Sequence, residues 1–170
     1  MTTFYTNIES VLGTIWFAET EKGLCCVEIG GDEDALHMQM KRWGREPFLW
    51  EPERFHDTIS QLRAYFSGMR CAFTTPIDWR RHTPFQRRVR EAVMRVPYGE
   101  TRTYGQIARE IGSPNAARAV GRANATNPLS IIIPCHRLIG TDGALRGYRA
   151  PDGTITKEWL LALESSTSTQ

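Results

Sequence analysis

Ile131-Ile132-Ile133-Pro134-Cys135-His136-Arg137 is the stretch that most restricts what this chain can fold into. Three consecutive isoleucines ask for burial on every side and predict an extended segment inside a core. Pro134 lacks an amide hydrogen, so the segment breaks there. A cysteine and a histidine follow at once. A thiol held at the end of a buried segment is a nucleophile once deprotonated, and the neighbouring imidazole is a base that can take its proton, directly or through water. Such an imidazole needs a carboxylate or carbonyl to orient it. Glu164, closing Lys157-Glu158-Trp159-Leu160-Leu161-Ala162-Leu163-Glu164, is the candidate. A Cys-His dipeptide alone is more often structural than catalytic, so its surroundings decide.

The chain of 170 residues, 41% hydrophobic and 24% charged, has ordinary globular composition, enough for one core or two small ones. No apolar run approaches the ~20 residues of a membrane span. Met-Thr-Thr-Phe-Tyr at the start lacks the basic-then-apolar pattern of a secretory signal. A cytoplasmic protein with no membrane association is expected. Cysteines at 25, 26, 71 and 135 form no CxxC pair, and His37, His56, His82 and His136 complete no zinc-finger spacing. Free thiols are expected, with Cys25 and Cys26 inert in a buried strand. The net charge of +2 hides an uneven spread. Residues 1–78 carry seven Lys/Arg against twelve Asp/Glu, whereas residues 79–122 carry ten Arg against three Glu. An all-arginine cluster suits phosphate and points to a polyanion partner, although a solvated helix face gives the same pattern.

Thr2 to Ile29 reads as strands, with Thr20-Glu21-Lys22-Gly23 as a turn. Asp32 to Trp43 reads as a helix, then Glu46 to Pro52 as an irregular connection. Phe55, Ile59, Leu62 and Phe66 give the inward face of a second helix closed by Gly68, and Phe73 to Ile77 reads as a strand. Thr83 caps a helix beginning at Pro84, with Phe85, Val89, Ala92 and Val93 inward and Arg87, Arg88, Arg90 and Arg95 outward. Thr103-Tyr104-Gly105-Gln106 is a capping box. After Gly112-Ser113-Pro114, Asn115 is placed to cap a further helix to about Ala125. Two short helices around a tight break form a helix-turn-helix pattern. The second is built of Ala116, Ala117, Ala119, Gly121, Ala123 and Ala125, with Arg118 and Arg122. Such a helix suits close approach to a nucleic-acid backbone or minor groove better than reading base edges, and equally suits tight packing on a neighbour. Ser165 to Gln170 reads as a poorly ordered tail.

Pro134-Cys135-His136-Arg137, preceded by Asn127-Pro128 and followed by Gly147-Tyr148, resembles the active-site signature of the O6-alkylguanine-DNA alkyltransferases. The resemblance takes in Thr83-Pro84-Phe85-Gln86, Pro97-Tyr98-Gly99-Glu100, Tyr104-Gly105-Gln106-Ile107-Ala108, Ala116-Ala117-Arg118-Ala119-Val120-Gly121 and Lys157-Glu158-Trp159-Leu160-Leu161. It implies an α+β fold. An N-terminal antiparallel sheet with helices, ribonuclease-H-like, would span residues 1–80, and a mostly helical DNA-binding domain with a helix-turn-helix would span 81–170. It implies irreversible, single-turnover transfer of an alkyl group from O6-alkylguanine, with O4-alkylthymine as an open second substrate, in flipped-out nucleotides to Cys135. His136 would be the base through a water, Glu164 its orienter, Tyr104 the proton donor to the purine and Asn127 the hinge behind the cysteine. Arg118 would enter the base stack as the nucleotide flips out, with Ala117, Arg122, Tyr104 and Thr103 as further DNA contacts. Tyr148 and Arg149 would belong to the loop over the extruded base. The implied partner is double-stranded DNA carrying O6-alkylguanine, met by a monomer with room for cooperative assembly.

The chemistry agrees with these roles. An alkyl ether carbon is a poor electrophile and calls for a thiolate, and its leaving group improves when the purine accepts a proton. The carbon is unreachable inside a duplex, so the nucleotide must rotate out at a cost of about a few kcal/mol. This chain departs from the family at Arg146 and at Arg149-Ala150-Pro151, where smaller residues are usual. That predicts a stiffer closing loop and a more crowded pocket. Arg90 stands where an aromatic residue is common and reads as a surface change. No zinc ligands of the kind some members carry stand out, and no metal or cofactor is expected. A damage-flagging binder would lack Cys135, a regulator sharing only the helix-turn-helix would not need Pro-Cys-His-Arg, and a thiol hydrolase would need an oxyanion hole.

Overall fold

The computed structural model describes residues 2–41, 47–69 and 72–166. Two compact units are present, Met1–Arg81 and His82–Gln170. The expected helical residue Trp43, Cys71 and the tail from 167 onward lie outside the described residues.

The first unit opens with β1 (Thr3–Ser10), β2 (Gly13–Thr20) and β3 (Gly23–Ile29), an antiparallel meander. Helix α1 (Glu33–Met40) follows, capped by Asp32, whose side chain accepts from Ala35 N. It leads to a short edge strand, β4 (Phe48–Trp50), which pairs with β1 in parallel and completes the order β3-β2-β1-β4. The sheet is therefore antiparallel over its three long strands and parallel at one edge, because the chain crosses over through α1 before returning. Leu36 and Met40 of α1 are buried with Tyr5, Trp16, Ala18, Cys25 and Cys26.

Helix α2 (His56–Phe66) buries Thr58, Leu62 and Tyr65, with Phe55 just before it. The inward face is thus rotated from the expected Ile59 and Phe66, which are half-buried. Residues 73–76 form no strand. Thr74 and Thr75 are held instead by side chains of α2: Gln61 accepts from Thr74 N, and Thr58 bonds Thr75. Only Ile77 bridges to Leu24. Gly23 is required there, since its φ is +125° and a Cβ would lie 2.4 Å from the Pro76 carbonyl oxygen.

The second unit begins with α3 (Pro84–Met94), where Thr83 and Gln86 form a reciprocal capping box. A two-residue strand β5 (Arg102–Thr103) runs into α4 (Tyr104–Glu110), which has its own box from Thr103 and Gln106. Helix α5 (Ala117–Ala125) follows a left-handed turn at Gly112. Its N-cap is Ala116 rather than Asn115, with no side-chain cap. Strand β6 (Leu138–Ile139) pairs with β5, and α6 (Thr154–Ser166) ends the described chain, so Ser165 and Ser166 are helical rather than tail. Among the described residues no helix is long and apolar enough to cross a membrane.

Two further expectations in this unit are overturned. The isoleucine run is buried but not extended: Ile131 has φ +71°, and Ile133 N turns back to Leu129 O at 2.9 Å. Arg90 is not on the surface but 3% exposed, because carbonyls at the end of α5 and His82 supply its guanidinium with acceptors.

Candidate active site

The turn that replaces the expected extended segment is organised by Asn127. Its Oδ1 accepts from Leu129 N at 3.1 Å, and its Nδ2 donates to Leu129 O and Ile133 O at 3.3 and 3.0 Å. Both ends of this buried amide therefore act on the backbone just before Pro134. The chain then enters a single 3-10 turn, Cys135–Arg137. Asn124 of α5 donates to the Cys135 carbonyl at 3.1 Å.

Cys135 is 3% exposed. Burial raises its thiol pKa above the ordinary value. A hydrogen bond from the Asn127 side chain and the positive charges of Lys157 and Arg90 act the other way. Cys25, by contrast, is buried with a strongly raised pKa and acidic neighbours, as an inert core thiol should be.

His136 is fully buried, and its Nε2 lies 2.6 Å from Glu164 Oε1. Burial lowers the imidazole pKa against the pull of Glu164, which keeps the ring neutral. A carboxylate only accepts, so Nε2 carries the proton and Nδ1 keeps the basic lone pair. Glu164 also accepts from Arg137 Nε and Nη2, both at 2.9 Å, and from Gly99 N at 3.0 Å. Burial pushes its carboxyl pKa up, but His136 and Arg137 hold it down at about 2. Arg137 is anchored in turn by Val96 O at 2.7 Å.

Tyr104, Ala117, Arg118 and Arg122 line a groove of about 990 Å³, with Gly140 and Arg146 on its other wall. Arg118 and Arg122 are exposed, and Tyr104 is half-buried with its pKa raised by burial and then by the charge of Cys135. A Cβ on Gly121 would meet the Tyr104 ring at 3.9 Å, so the small residues of α5 both pack on α4 and floor the groove. Arg146 is paired with Asp142 at 2.7 Å. Tyr148 is buried edge-on to His136, ring centroids 6.4 Å apart, and Arg149 is half-buried. The Thr103 hydroxyl is engaged in capping α4, accepting from Gln106 N at 3.1 Å.

Sequence reasoning assigned no part to Asn124, Arg137 or Lys157. Lys157 has no exposed surface and donates to Leu138 O and to Arg146 O. Its spacing was a usable signal: Lys157, Leu160 and Glu164 recur at helical intervals on one face.

Residues 84–166 match the family described as 6-O-methylguanine DNA methyltransferase, DNA binding domain, and residues 3–79 match the ribonuclease-like domain of the same name. A methylated-DNA–protein-cysteine methyltransferase of Methanosarcina acetivorans is 43% identical over 165 residues, covering 96% of this chain and 99% of that protein. One from Mycolicibacterium paratuberculosis is 51% identical over 164 residues, covering 94% and 91%. Among solved structures, Mycobacterium tuberculosis OGT in complex with DNA is similar with a TM-score of 0.82 and 40% identity, covering 96% of this chain and 94% of that one.

Proposed function

Because the chain belongs to the 6-O-methylguanine DNA methyltransferase family, we propose that it repairs DNA by moving an alkyl group from O6-alkylguanine onto Cys135. The observation that carries this reading is the buried Cys135 beside a neutral His136 whose proton position is fixed by Glu164 at 2.6 Å.

In the reaction the thiol proton leaves to His136 Nδ1 through a water. Sγ forms a bond to the alkyl carbon as the carbon–O6 bond breaks, and the electron pair goes to the purine. The phenol of Tyr104 supplies the proton that neutralises it. Arg118, exposed on a helix of small residues, enters the stack while the nucleotide occupies the groove. Arg122, Ala117 and Thr103 contact the backbone, and Tyr148 and Arg149 form part of the wall behind the base. The product is a thioether, which no group in the site can displace, so each molecule acts once. The protein works as a cytoplasmic monomer that can assemble cooperatively on duplex DNA, with residues 1–80 as one domain and 81–170 carrying the chemistry. The Arg146–Asp142 pair crowds the groove and favours small adducts.

Intact mass after incubation with O6-methylguanine duplex tests the proposal. A gain of one methyl mapped to Cys135 is the expected result. No gain, or a methyl on another residue, would overturn it.

A further inference from the structure

Arg90 is the one buried arginine of α3, and its environment is built from the end of α5. Nη2 donates to Thr126 O at 2.8 Å and to Ala123 O at 3.3 Å, and lies 3.5 Å from Thr126 Oγ1. Nη1 lies 2.7 Å from His82 Nδ1, which must accept, since a guanidinium offers only donors. The last carbonyls of a helix have no partner within it and carry its negative dipole end. A buried cation there closes the helix more firmly than water would. That turn also carries Asn124, which holds the Cys135 carbonyl, and runs directly into Asn127, which holds Leu129 and Ile133.

We propose that Arg90 is a positioning residue for the acceptor cysteine: it closes the C-terminal turn of α5, fixes Asn124 and Asn127 through it, and sets a positive charge behind the Cys135 loop. The proposal rests on Cys135 being the acceptor. Burial draws the Arg90 guanidinium down to about 10, which leaves it a cation at neutral pH. Its charge is felt at Cys135. The other titratable groups facing that thiol are Tyr104 from α4, Lys157 from α6 and Tyr148, with His136 next in the chain. Those facing Arg90 itself are His82 and Cys135. Of the two cations, Lys157 is bound to the carbonyls of Leu138 and Arg146, so Arg90 is the one tied to α5.

The test follows carbamidomethylation of Cys135 by iodoacetamide, with iodide as the leaving group, mapped by peptide mass from about pH 6 to pH 10. It compares the whole chain as wild type, R90Q and R90K, alongside methyl transfer from an O6-methylguanine duplex and thermal unfolding. R90Q keeps a donor but loses the charge. Its Cys135 profile should move up by about one pH unit, a roughly tenfold loss of thiolate at neutral pH. R90K keeps the charge, so its profile should stay within a few tenths of wild type. Its transfer rate should still fall several-fold, because one ammonium cannot reproduce the forked contact. An unmoved profile in R90Q, with only a lowered melting temperature, would reduce Arg90 to a structural cap and overturn the proposal. If R90Q does not fold, R90K decides: transfer at the wild-type rate would equally overturn it. Wild type that is carbamidomethylated at Cys135 yet takes no methyl from DNA would defeat the assigned function, while the profiles would still judge Arg90.

Discussion

Lys157 and Glu164 stand two turns apart on the buried face of α6, oppositely charged and each without exposed surface. Two turns is about 10 Å along a helix, too far for a direct pair. Each is used separately. Glu164 gathers Gly99, His136 and Arg137, and Lys157 gathers the carbonyls of Leu138 and Arg146. One helix therefore grips both the Cys135 turn itself and the chain that leaves it.

Glu164 makes stability depend on acid. Its folded pKa, about 2, lies below the ordinary carboxylate value, so its contribution is complete above the unfolded pKa and is lost as pH falls through the folded one. Thermal unfolding followed from pH 6 down to pH 2 should show the loss beginning near pH 4. E164Q should flatten that slope and destabilise the protein by about 3–5 kcal/mol, since Arg137 is left buried without its counter-ion. A slope unchanged in E164Q would remove the carboxylate from this role.

C135S should abolish transfer to below a thousandth of the wild-type rate while leaving duplex binding within about twofold. The exchange is nearly isosteric, but a hydroxyl is far less acidic than a thiol. Radiolabel transfer and gel-shift titration read the two quantities. Transfer by the serine variant near the wild-type rate would remove Cys135 as the nucleophile.

R118A should slow repair of duplex DNA by about tenfold or more, with a much smaller effect on the free alkylguanine base, where no stack has to open. Arg118 is exposed on α5, so its removal leaves no buried vacancy. Equal losses on both substrates would assign Arg118 to the pocket instead of to flipping.

Alkylation should lower the melting temperature by several degrees. The new group enters a site whose cysteine is 3% exposed and ends the hydrogen bond from Asn127. Overfilling a packed site typically costs ~1–3 kcal/mol. Titration with excess methylated duplex, followed by calorimetry, checks both halves. Methyl counts well beyond one per chain would refute single turnover, and an unchanged melting temperature would refute the strain.

Much of this was legible in the residues. Thr83 and Thr103 announced helix starts because a cap needs only local spacing. The pairing of His136 with Glu164 was legible from chemistry, since a buried imidazole needs an orienter. What escaped was set by tertiary partners. Arg90 looks solvated by composition and becomes buried only because α5 ends against it. Lys157 looks like a surface lysine until the carbonyls of Leu138 and Arg146 converge on it. The strand expected at 73–77 failed because side chains of α2, invisible to periodicity, hold Thr74 through its backbone and Thr75 through its hydroxyl.

Ile131 is left-handed at φ +71° with only 1% of its surface exposed. A β-branched residue in that conformation carries ~1–3 kcal/mol of strain. Glycine would relax the backbone but empty a buried site, at roughly 2–5 kcal/mol or more. Asparagine tolerates the conformation but would bring a polar amide into an apolar interior. Neither replacement improves on isoleucine, so the position is closed to the two residues that best tolerate its backbone. Selection for stability alone would hold the isoleucine there whether or not its strain helps transfer, which makes its persistence in a lineage no evidence of a catalytic part.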